Sequence, residues 1–147
     1  MVDADVVAAK HAEAERRIGR VRTHRTGSAQ ALAADADALD LVSFNLMLAV
    51  QCCLDVASHV ISDEGWPPAP DIAGSFARLH ERGVLTAATA AALGRAAGLR
   101  NVVAHVDAPA DPALVHAATT TGLDDLERFA AEVAAWGRSR VDAAAPD

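Results

Sequence analysis

The stretch Gly98–Asp107, GLRNVVAHVD, places Arg100, Asn101 and His105 within six residues of an otherwise apolar, alanine-rich run. A histidine has an unperturbed pKa of about 6.5 and exchanges a proton at neutral pH. Such general acid–base work contributes roughly 10²–10⁴-fold to a rate. A guanidinium grips phosphate through two parallel hydrogen bonds and stabilises the charge that develops on it. Together these groups suit phosphodiester cleavage. RNA supplies its own nucleophile, the 2′-hydroxyl, so this chemistry requires no metal.

Spacing permits a joint site without forcing one. Asn101 and His105 are four residues apart and share a helix face. Arg100 and His105 are five apart, about 140° around an ideal helix. Arginine and histidine at a helix C-terminus also have a structural use, because they complement the helix dipole and cap free carbonyls.

Five helices are expected to position these residues. Val2 to about Arg25 reads as a charged helix, and Thr26-Gly27-Ser28 as a break. A second helix runs from about Ala36 to Ser62. Its first half, LDLVSFNLMLAV, is apolar nearly all round, as in a helix buried on several sides or in a subunit interface. Its second half sets Gln51, Asp55, Ser58, His59 and Ser62 on one face, toward water or a cleft. Pro67 and Pro68 enforce a loop. A short helix spans about Pro70 to Arg82 and stops at Gly83. Thr86 caps the helix that runs to about His105. Asp111-Pro112 opens a last helix to about Arg138, with an apolar stripe of Leu123, Leu126, Ala130, Val133 and Trp136. The fold class is all-α, a bundle of four to five helices in one domain over residues 1–147.

Composition agrees. The chain has 147 residues, enough for one self-sufficient core. Alanine is abundant, tyrosine is absent, and only three Phe and two Trp occur, which favours helix over strand. A net charge of −7 argues against coating nucleic acid through bulk electrostatics. Arg16, Arg17, Arg20, Arg22 and Arg25 form a basic run, better read as a solvated helix face than as a phosphate patch. The N-terminus lacks the basic and apolar runs of a signal peptide, and the two cysteines, Cys52 and Cys53, are adjacent. Both features point to the cytoplasm. The apolar segment Leu41–Ile61 is long enough to span a membrane. It carries Asn45, Gln51, Asp55 and His59, however, and a central Asp costs about 2.5–3.5 kcal/mol on insertion. A buried helix is expected instead.

Arg100-Asn101-x-x-x-His105 resembles the R-x4-H signature of the HEPN superfamily of helical ribonucleases, and the whole chain resembles the HepT-like toxins within it. Asn45–Ile61 is similar to the family's long second helix. Phe76–His105 resembles its short helix, Gly-Val-Leu turn and run into the motif, and Asp111 onward resembles its last helix. The resemblance implies a homodimer whose motifs line a shared cleft. It implies metal-independent cleavage of RNA, either tRNA or mRNA, with no cofactor. Arg100, His105 and Asn101 would be the catalytic residues, and Asp55, His59 and Asp107 would border the cleft. It also implies a cognate minimal nucleotidyltransferase antitoxin, which in the family transfers AMP to a tyrosine two residues after the motif histidine.

That position is Asp107 here, and the chain has no tyrosine. Neutralisation would then rest on binding alone, on another hydroxyl, or have been lost. Asp107 would repel phosphate if it faced the cleft, or raise the pKa of His105 if it bonded to it. A competing reading is a catalytically silent dimeric module that binds nucleotide or the nucleotidyltransferase partner. His59 and Asp63 are spaced to share a metal, but no second pair completes a site, so no metal centre is expected. Cys52 and Cys53 read as core filler, and Trp66 and Trp136 as packing residues.

Overall fold

The computed structural model describes residues 2–103 and 110–146, the side chains of residues 101–103 excepted. The described elements are all helical. They are α1 (Ala4–His24), α2 (Ala29–Ala34), α3 (Ala36–Asp63), α4 (Gly74–Glu81), α5 (Ala87–Val103), α6 (Pro112–Ala117), a π-helical turn (Ala118–Gly122) and α7 (Leu123–Ala144).

Short polar side chains start most of these helices. Asp3, Ser28, Asp35 and Asp111 each accept a hydrogen bond from a first-turn N–H. Glycines stop two of them. Gly65 and Gly83 sit at φ +66° and +76°, a left-handed conformation that costs glycine little. At each, the following N–H reaches back across the last turn, Trp66 to the Ile61 carbonyl and Val84 to the Leu79 carbonyl.

Helix α3 is the central element, packed against α1, α2, α4, α5, α6 and α7. Among the described residues it is the one helix long and apolar enough to cross a membrane, yet 61% of its apolar window is buried inside the bundle. It is therefore the core helix. Val42, Leu46, Ala49, Val50, Val56 and Val60 of α3 join Ile18 and Val21 of α1, Phe76 and Leu79 of α4, Leu93 of α5 and Phe129 of α7 in one core. Cys52 and Cys53 are both buried and unpaired, as filler should be.

Helix α7 runs on to Ala144, past the expected end near Arg138, and three further features differ from those expected. The break after α1 holds an extra short helix, α2, capped by Ser28 and pinned by the buried Leu32. Helix α4 begins at Gly74 rather than near Pro70, because Asp71 Oδ1 accepts from the Gly74 N–H and closes a turn first. The last helix is not uniform. Thr119 and Thr120 hydroxyls donate to the carbonyls of His116 and Ala117, and Arg25 Nη1 donates to the Thr119 carbonyl at 2.9 Å. Side-chain competition for backbone carbonyls at consecutive threonines accompanies the local widening into a π turn.

Candidate active site

Helix α5 carries the chemistry, and its first turn is fixed firmly. The Thr86 hydroxyl accepts from the Thr89 N–H, and both hydroxyls donate to Glu132 Oε1 of α7, at 2.9 and 2.8 Å. Arg128 Nε donates to the Thr89 hydroxyl at 2.9 Å. Thr89 is fully buried, so these bonds satisfy a polar group that would otherwise cost stability. Sequence reading found the Thr86 cap but not Glu132 or Arg128. Their partners lie 39–46 residues away, and no local signal marks them.

Arg100 lies in the last turn of α5, half-buried. A cation is favoured there by the helix dipole, and its guanidinium can take phosphate bidentately. Asn101 lies in α5, but its side chain is outside the described residues, as are His105 and Asp107.

Asp55 and His59 sit on the polar face of α3, where neighbouring side chains engage both. Lys10 Nζ of α1 donates to Asp55 Oδ2 at 2.8 Å, and Gln51 Nε2 donates to Asp55 Oδ1 at 2.8 Å. The hydrogen bond from Lys10 to Asp55 raises the Lys10 pKa. His59 Nε2 lies 3.2 Å from Asp63 Oδ2, which also accepts from the Asp3 N–H. Part of this stripe is thus a seam between α1 and α3. Among the described residues, no hydrogen bond or ion pair links Asp55 or His59 to Arg100, and no group of three His, Cys, Asp or Glu side chains could hold a metal.

The basic run of α1 is largely engaged within the fold. Arg16 and Arg17 pair with Glu13, Arg22 pairs with Glu127 and Asp124, and Arg25 holds the π turn. The Arg22 hydrogen bond holds the Glu127 carboxyl below its usual range. Trp66 and Trp136 meet edge to face at 6.0 Å, with Arg82 and Arg140 over their rings. They pack the α3–α4 loop against α7, as expected.

A family model described as "Ribonuclease HepT-like" matches residues 13–133. Among solved structures, a toxin–antitoxin complex with AMP-PNP is 24% identical, with a TM-score of 0.82, covering 89% of this chain and 98% of that one. A tri-AMPylated Shewanella oneidensis HEPN toxin in complex with MNT antitoxin is 24% identical, with a TM-score of 0.82, covering 90% and 99%. A mutant of the toxin–antitoxin MntA–HpeT is 25% identical, with a TM-score of 0.80, covering 89% and 98%. No curated protein matches the chain.

Proposed function

Since this chain belongs to the ribonuclease HepT-like family, we propose that it is a metal-independent endoribonuclease toxin of a toxin–antitoxin pair. Its substrate is RNA, of tRNA or mRNA type, and its compartment is the cytoplasm. The observation that carries the reading is the family match, whose span includes Arg100, Asn101 and His105. Arg100 binds the scissile phosphate and stabilises charge on it. Asn101 orients His105 or contacts the phosphate. The 2′-hydroxyl attacks phosphorus, the bond to the 5′-oxygen breaks, and the products are a 2′,3′-cyclic phosphate and a 5′-hydroxyl. His105 takes the proton from the nucleophile or returns one to the leaving oxygen.

A homodimer would bring two motifs into one cleft and supply both proton transfers. Phe44, 51% exposed on the otherwise well-covered first half of α3, supports such an interface. The partner is a minimal nucleotidyltransferase antitoxin. Supporting this, toxin–antitoxin complexes are among the solved structures that share the fold. A chain without tyrosine offers no phenol to AMPylate, so binding or another hydroxyl would carry neutralisation. The test is expression in cells. Wild type arrests growth, and co-expression of the adjacent nucleotidyltransferase restores it. His105→Ala is harmless while remaining folded. A His105→Ala protein as toxic as wild type would sink the mechanism.

A further inference from the structure

Helix α5 does more than carry Arg100. With α3, the π turn and α7 it encloses a groove of about 460 Å³, within the range of ligand pockets. Leu46 and Val50 of α3, Ala96 and Leu99 of α5 and Leu126 of α7 give it apolar walls. Two charged residues also line it, Arg95 of α5 and Asp125 of α7. Ala118, Thr121 and Gly122 of the π turn complete the wall, and such turns inside α-helices cluster at functional sites. The groove adjoins the candidate site. Ala96 and Arg100 are four residues apart on α5 and share a face, which puts Arg100 one turn, about 6 Å, further along the helix.

We propose that this groove is a nucleobase subsite, selective for an unpaired guanine beside the phosphate that Arg100 holds; the assignment rests on the ribonuclease reading above. Bases in single-stranded RNA splay out and are recognised by apolar contact with their faces and hydrogen bonds to their edges. Guanine presents two acceptors, O6 and N7, on one edge, which a guanidinium meets bidentately. It presents two donors, N1–H and the N2 amino group, on another, which a carboxylate accepts. Adenine has no adjacent acceptor pair for Arg95, and cytosine pairs N3 with O2 as acceptors but has a single donor group, N4, in place of guanine's adjacent N1–H and N2 donors for Asp125. Uracil has neither a paired-acceptor edge nor a paired-donor edge. Arg95 and Asp125 therefore form a charge pattern complementary to guanine. Arg128 Nη2 donates to Asp125 Oδ1 at 2.7 Å, which orients that carboxylate.

The experiment pairs two readouts on the full chain. Random-sequence single-stranded RNA is incubated with wild type, Arg95→Gln and Asp125→Asn, each checked for native helicity, and the cut sites are sequenced. GMP and AMP are titrated separately into the same proteins while the amide resonances of Gly98 and Gly122 are followed. The expected result is guanine at one fixed position beside the cut, favoured roughly 5- to 150-fold as a bidentate base contact allows, with the preference lost in both variants. GMP shifts both amides in wild type more strongly than AMP does. Cutting without base preference, a preference for another base, or a guanine preference retained in both variants overturns the subsite and leaves the ribonuclease reading intact. If wild type cuts nothing, the ribonuclease reading fails. The guanine site then stands if GMP still shifts the two amides selectively, and falls if GMP leaves them unmoved or acts no differently from AMP.

Discussion

Replacing Phe129 with alanine tests how the core holds α7 against α1 and α4. Phe129 is fully buried. It meets Phe76 edge to face at 5.6 Å and His11 at 6.3 Å. Truncating a buried phenylalanine costs about 3–5 kcal/mol. The two aromatic contacts fall within the separations at which each contributes about 0.5–1.5 kcal/mol, which places this site in the upper half of that range. A domain is stable by only about 5–15 kcal/mol, so Phe129→Ala should lower the urea midpoint by about 2 M. Phe129→Leu keeps most of the apolar volume, loses only the edge contacts, and should cost about 1–2 kcal/mol. There is a second readout. Burial holds the His11 pKa below 6.5. Between the folded and unfolded pKa values the unfolded chain binds more protons, so native stability declines as pH falls from about 6.5 through the folded pKa. Opening the Phe129 site to water should move the His11 pKa up toward 6.5 in an NMR titration and flatten that acid-side decline. A loss below about 1.5 kcal/mol, or an unmoved His11 pKa, would refute this account of the packing.

Two smaller perturbations test the elements that place α5. Thr89→Val keeps the shape but removes the hydroxyl bonded to Glu132 and Arg128; chemical denaturation should show a loss of about 1–3 kcal/mol, and a neutral result would mean the network is idle. Gly83→Ala meets no atom within 4 Å but must hold φ +76°, so it should cost about 1–2 kcal/mol from backbone strain alone, read as a lowered melting temperature.

Much of the scaffold was legible because its signals are local. Thr86 and Asp111 mark helix starts within three residues of themselves, Gly83 marks a stop, and the apolarity of Leu41–Ile61 identified the core helix. What was missed depends on distant partners. Helix α2 spans six residues and is fixed by burial of Leu32, which propensity does not reveal. The π turn is held by Arg25, 94 residues away in sequence, so the last helix read as uniform. Phe129 sits three residues after Leu126 and four before Val133, on the face of the expected stripe; the stripe named its neighbour Ala130, which is only half-buried, where Phe129 is the fully buried residue. In the candidate site, Arg100 stands in the last turn of α5. Asp55 turned out to be engaged by Lys10 from across the α1–α3 seam, an ion pair spanning 45 residues that spacing could not foretell.

The central claim is that Arg100 and His105 cleave RNA without a metal. The most direct measurement incubates total tRNA with the purified protein in EDTA, beside Arg100→Ala and His105→Ala, and identifies the new 3′ ends. The account predicts 2′,3′-cyclic phosphate ends from wild type and none from either variant. No cleavage by a folded wild type, or cleavage undiminished in either variant, would contradict it.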